Sequence, residues 1–566
     1  MEYIPKSLVL LSGDLDSGKL LLPEEEIVFR RKATGLVRTA GIFTTAAVAF
    51  LFVTQGIFFY PTTAIYEYPG LNLPLSYSFA TIIMVWSAFA VMYVTVAMPR
   101  TSSDYVAVSR LIHPVIGYMG SVLQWQLFLN WAGGSTGIQA WWLGAYFGQI
   151  GTMLKLPDLV SLGSYLATDF TAALSYGIIV NTIFALICLV GMRWYGRFAT
   201  FFFVVPVVLV MVGAGVLGYY TMAGPAATRA AWDATYGAGA YQEIINVSDK
   251  YGWADWVAKA ELGPNGYGFP GDWSWAATAN AVLPAGFAVW GYEISNMAAG
   301  EIKEPSKTYP YAIILSTVLV TIWYLSAAYF MTTTFGDWLS RYVYVMYGGN
   351  GADEVKLNPV AFPNIATFQA GLVGGWSFPL AALLGITAYL IYLPSAMVLI
   401  LLASRNMFSW SFDRVFPEAF SKVNARWHTP HWSILFVYLV SLVYMVAVLQ
   451  YPYLLAVNVY ASATLRYIFV CWAAMVLPYY RPELWERTAP WRIGGIPLAT
   501  IIGIIGTFTT TWFFVKVLSL LKGDDFSILY QAFWIAFSVV LFGIYTHHNK
   551  KIGVDQEALF KTIPPA

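Results

Sequence analysis

About twelve long apolar stretches recur along this chain, at 38–60, 75–98, 114–147, 171–192, 198–222, 276–300, 309–333, 376–403, 431–450, 453–478, 494–520 and 526–546. Each supplies close to, or more than, the roughly 20 apolar helical residues that cross the hydrocarbon of a bilayer. Lipid offers a backbone amide no partner, so such stretches are expected as helices that satisfy their own backbone. The expected fold is an all-α polytopic membrane protein with about 12 transmembrane helices. The third stretch exceeds what a span needs, which implies tilt or an extension into the interface. Only 11% of residues are charged, against about 25% in soluble domains.

Net charge is +1 and says nothing about partners, but the charges are unevenly placed. With the N-terminus inside, 22 Lys and Arg residues fall on the cytoplasmic side and 8 outside, leaving Arg466 within a span. That bias predicts an even number of spans and two cytoplasmic ends. The chain then divides into an N-terminal tail (1–36), a membrane domain (37–548) and a C-terminal tail (549–566). Two long outer loops, about 224–275 and 336–375, are rich in Gly, Tyr, Trp and Asp and read as folded or partly folded external caps.

Several chemistries find little support. Gly13-Asp14-Leu15-Asp16-Ser17-Gly18-Lys19 has phosphate-loop spacing, but Leu20 stands where a magnesium-binding Ser or Thr is needed. Pro23 would also interrupt the helix that should cradle the phosphates. His428 and His431, and the pair His547-His548, lack further ligands for zinc. No hydrolase motif lies in the spans, and Cys188 and Cys471 read as core hydrophobes. The expectation is a non-enzyme with no cofactor, no metal and no nucleic-acid partner, acting in the lipid bilayer.

The run from Ala277 to Ala312 points to function. It places Gly291, Glu293 and Asn296 inside a span, then leaves through a charged exit punctuated by Pro305 and Pro310. A carboxyl group at that depth is expensive, so Glu293 is a functional candidate by default. Gly291 weakens the helix two residues earlier, and a break there would offer carbonyls to an ammonium, with Trp290 and Tyr292 shaping the pocket. Glu293 then exchanges a proton during transport, or is a structural carboxyl bonded to a neighbouring hydroxyl or amide. In the first span, Thr54-Gln55-Gly56 is either a polar packing face or an unwound segment whose amides meet a carboxylate. Arg466 should face the bundle interior and pair with an acid or helix-end carbonyls; Glu293 is one candidate partner. Asn130 and Asn181 suit hydrogen bonds between helices.

These residues resemble the amino acid–polyamine–organocation (APC) superfamily. The sixth span is similar in Phe287-Ala288-Val289-Trp290-Gly291-Tyr292-Glu293, then in Ala299-Gly300-Glu301-Ile302-Lys303-Glu304-Pro305 and Lys307-Thr308-Tyr309-Pro310. Glu304, Tyr309 and Tyr311 replace the pattern's Asn, Ile and Arg. Pro99-Arg100-Thr101-Ser102-Ser103-Asp104-Tyr105 resembles the loop before span three. Ser404-Arg405-Asn406-Met407 and Leu477-Pro478-Tyr479-Tyr480-Arg481 resemble the exits of spans eight and ten. In the first span, Thr54-Gln55-Gly56-Ile57-Phe58 keeps only the second glycine of the family's break.

The resemblance implies a five-plus-five inverted repeat with broken helices 1 and 6, plus two C-terminal helices. It also implies an amino acid permease of the plasma membrane, working by alternating access on amino acids, polyamines or related organic amines. Thr54, Gln55 and Gly56 would hold the carboxylate, while Phe287, Trp290, Gly291 and Tyr292 would form the amine site. Glu293 would couple transport to H+. The alternatives are amino acid exchange, Na+ symport through oxygens that include Ser395, and a nutrient sensor that binds an amine without moving it.

Overall fold

The computed structural model describes residues 34–56, 60–263, 265–357, 363–455 and 461–565. The Gly13 to Lys19 run and nearly all of the 1–36 tail lie outside the described residues, as do Ile57, Phe58 and the side chain of Gln55.

Among the described residues, eight helical stretches are long and apolar enough to cross a membrane. Seven are single helices: α3 (Leu73–Ala97), α7 (Phe170–Leu189), α8 (Met192–Ala223), α13 (Pro305–Phe335), α19 (His431–Gln450), α22 (Leu498–Leu520) and α23 (Asp525–Lys551). The eighth spans Phe378–Phe412 in three pieces, α16 (Phe378–Gly385), α17 (Thr387–Tyr392) and α18 (Ser395–Phe412). Four expected spans remain. The third is α5 (Pro114–Leu154), whose 41 residues make a helix of about 60 Å, far longer than the hydrocarbon is thick. The tenth is seen from Ala461 onward as α20 (Ala461–Tyr480). The first and sixth are broken: α1 (Ile42–Val53) with α2 (Tyr60–Glu67), and α12 (Trp275–Ala288) with a 3₁₀ segment, Ile294–Glu301. Breaks five spans apart, with α22 and α23 following the tenth span, are what a five-plus-five repeat with two added helices requires.

Packing divides the spans into two groups. α1, α3, α12 and α13 pack on one another, and α5 packs against α7, α18 and α19. Side-chain amides tie the second group, with Asn181 Nδ2 donating to Ser441 Oγ at 2.8 Å between α7 and α19. Asn130 Nδ2 on α5 donates to Leu454 O at 2.8 Å. The outward face of α8 exposes Phe201, Val204, Val208 and Met211, a surface suited to lipid.

Both long loops fold. The first contains α9 (Pro225–Tyr236), α10 (Ala240–Lys250) and α11 (Trp253–Ala258); the second contains α14 (Asp337–Tyr342) and α15 (Ile365–Val373). They form one cap around Trp232 and Trp338, whose ring centroids are 4.9 Å apart. Trp338 stacks on Tyr241 at 4.4 Å and donates to Tyr241 O at 2.9 Å. Lys250 Nζ bridges to Glu354 at 2.6 Å, and that hydrogen bond holds the Glu354 carboxyl below its usual range.

The opposite face is closed by ion pairs and by the C-terminal segment. Arg405 on α18 grips Glu301 with two bonds of 2.9 Å, both groups buried. Thr39 and Ala40 amides donate to Glu301 O, and Lys303 N donates to Ala40 O, so the chain before α1 lies alongside the end of the 3₁₀ segment. Arg110, on the short helix α4 (Ser103–Leu111), grips Asp413 at 2.6 and 2.7 Å.

Candidate functional site

The two breaks touch. α1 gives way after Val53 to a single 3₁₀ turn, Thr54–Gly56, and helix resumes at Tyr60. α12 ends at Ala288, and residues 289–293 run without helix before the 3₁₀ segment. A Cβ added at Gly56 would lie 3.0 Å from Ala288 Cα. Gly291 adopts φ +106°, where only glycine is at ease, and a side chain there would strike the Phe52 ring.

A broken helix leaves carbonyls without intrahelical donors. Hydroxyls on α13 supply them. Tyr309 Oη donates to Glu293 O at 2.6 Å and Ser316 Oγ reaches Tyr292 O at 3.4 Å. Tyr324 Oη lies 2.9 Å from Ala288 O and 3.1 Å from Val53 O, so one side chain touches the last turn of both broken helices.

Beside the breaks lies a cavity of about 400 Å³, within the usual range of small-molecule sites. Of the residues singled out from sequence, Gly56, Phe287 and Trp290 line it. Thr54, Gly291 and Tyr292 do not, and each has a physical reason. Thr54 Oγ1 turns back onto Phe50 O at 2.6 Å, the local bond that competes for threonine in helices. Gly291 shapes the backbone against Phe52, and Tyr292 is buried with its carbonyl towards α13. The rest of the lining is apolar and aromatic for the most part, and includes Trp131, Trp142 and Tyr392; Trp142 and Tyr392 stack at 5.2 Å.

Glu293 lies behind this wall, away from the lining. Trp290 packs edge-on to Tyr467, ring centroids 5.3 Å apart, and Tyr467 Oη donates to Glu293 Oε1. Arg466 Nη1 stands 3.7 Å from the same oxygen, while Arg466 Nε lies 2.5 Å from Asp104 Oδ2. Asn296 Nδ2 donates to Asp104 Oδ1 at 2.9 Å. Tyr467, Glu293, Arg466, Asp104 and Asn296 are each at most 2% exposed. Two carboxylates therefore share one guanidinium in a dry site, and Arg466's nearest acid is Asp104 rather than Glu293.

Asp104, Tyr467 and Tyr324 escaped sequence reasoning. Asp104 sits among Ser102, Ser103 and Tyr105 and reads as loop, although it is buried at the start of α4. The usable signal was Arg466 itself, a mid-span cation that demanded an acid. Tyr324 carries no signal in a helix already rich in aromatics.

A family model described as amino acid permease matches residues 35–545. No curated protein matches the chain. The match spans both breaks, the cavity and the cluster around Arg466, and it describes transporters rather than enzymes. This multi-pass membrane protein belongs to the amino acid permease family, within the APC superfamily.

Proposed function

We propose that this amino acid transporter is a proton-coupled permease working by alternating access. The group of α1, α3, α12 and α13, with α2 continuing α1, would rock against α5, α7, α18 and α19 around the cavity. The observation that carries the reading is the charge count behind Trp290. Asp104 and Glu293 surround a single Arg466, and an uncompensated buried charge is costly, so the site has room for one proton. Trp290 belongs to both the cavity wall and the Tyr467–Glu293 contact, which gives substrate and proton a shared neighbour. The backbone around Gly56 would receive the substrate carboxylate, and the face of Phe287 and Trp290 the amine. The excess of Lys and Arg on the face opposite the cap supports a plasma-membrane orientation with the cap outside. The 1–36 and 549–566 tails would then lie in the cytoplasm.

Na+ coupling is the weaker reading. Ser395 Oγ is already engaged with Ser135 Oγ at 2.8 Å and Gln139 Nε2 at 2.9 Å. The test is uptake into proteoliposomes. Glu293→Gln is expected to abolish accumulation driven by a pH gradient while leaving counterflow of unlabelled against labelled amino acid. Unchanged pH-driven uptake returns Glu293 to a structural role. Uptake that needs Na+ and ignores pH establishes the symport, and absent counterflow leaves a sensor.

A further inference from the structure

α2 ends at Glu67, and Glu67 lines the cavity that begins at Gly56 and Tyr60. It is the one charged group among the described lining residues, no Lys, Arg or His being among them. It is exposed, and among the described residues it forms no ion pair. Its position is held by the cap, because the neighbouring Tyr66 stacks on Trp256 of α11 at 5.8 Å and meets Tyr347 at 5.5 Å. Tyr347 also lines the cavity; burial first, and then the Glu67 charge, push its phenol up to about 12.

From Tyr60 to Glu67 the helix rises about 10 Å. Side chains on a helix lean towards its N-terminus, so the Glu67 carboxylate leans back towards the break. The cavity lining includes Tyr60, Trp141, Trp142 and Tyr347, aromatic groups of the kind that attract cations. The loop that forms most of the cap, 224–275, carries six acids against three bases, which adds an attractive field for cations approaching this mouth.

We propose that the cavity selects substrates with a positive charge at the far end of an apolar stem, namely dibasic amino acids and diamines. One end sits at the Gly56 break and the distal ammonium or guanidinium sits at Glu67. This rests on the transport reading above, since it assigns the substrate of that same cavity. Neutral amino acids with large side chains fill the aromatic space but leave Glu67 without a partner, and acidic ones meet it as a like charge.

The full chain in detergent and in proteoliposomes tests this with labelled lysine, arginine, putrescine, leucine, phenylalanine and glutamate. Lysine, arginine or putrescine is expected to bind and exchange, with glutamate inert. Glu67→Gln should weaken lysine and putrescine binding about tenfold, the worth of a charge-assisted hydrogen bond, and Glu67→Asp should recover part of it. Leucine or phenylalanine transport with no binding of the three cations overturns the proposal and leaves the transport reading standing. Cation binding without counterflow supports the proposal and overturns transport. Lysine binding unchanged in Glu67→Gln overturns the role of Glu67.

Discussion

At Gly291 two independent constraints meet in one missing side chain. The backbone stands at φ +106°, and the space a Cβ would fill belongs to Phe52. Gly291→Ala is therefore expected to destabilise the protein by about 1–3 kcal/mol, the usual cost of a strained backbone position. The double variant with Phe52→Ala removes the collision and leaves the φ penalty, so it should regain none or only part of the loss at this site. Thermal unfolding in detergent separates the two. The glycine was legible in sequence because it preceded an acid in an apolar helix. The destination of that acid was not. Asp104 and Arg466 are 362 residues apart, and nothing local to Pro99-Arg100-Thr101-Ser102-Ser103-Asp104 marks it as buried. The direction of the Thr54 hydroxyl was equally unreadable, since it turns back onto Phe50 O of its own helix.

At the level of elements, the spans were readable because hydropathy is written locally and the bilayer sets their length. The cap helices were not, since α10 and α11 are short and begin at left-handed glycines, Gly239 and Gly252, that read as loop. Their order comes from the meeting of Trp232 and Trp338 across two loops. The Arg405–Glu301 pair fastens α18 to the end of the 3₁₀ segment, where α1 also begins. Arg405→Ala strands a buried carboxylate and should cost about 3–5 kcal/mol, whereas replacing both partners by Met should recover most of it. Melting temperatures of the two variants check this. If the pair also locks this face, a cysteine placed at Ala299 becomes reactive in Arg405→Ala and stays shielded in the wild type.

For the whole molecule, the C-terminal segment acts as a strap. Arg100 Nε donates to Pro564 O at 2.5 Å, while Arg110 and Arg481 reach Thr562 O and Lys561 O at 3.5 Å. The Phe560 ring lies 5.0 Å beneath the Arg110 guanidinium. Deleting 555–566 should lower the melting temperature and speed hydrogen exchange in α4, with the cavity's ligand affinity unchanged; unaltered exchange in α4 would show the strap to be passive. The two halves of the repeat meet once more at Tyr324. A phenol carries a single proton, yet Val53 O from the first repeat and Ala288 O from the second both lie within its reach. Val53 lines the cavity, so an ammonium bound at its carbonyl would release the tyrosine proton to Ala288. Occupancy is then written as the reassignment of one shared proton, a ballot with two claimants in which the ligand casts the deciding vote.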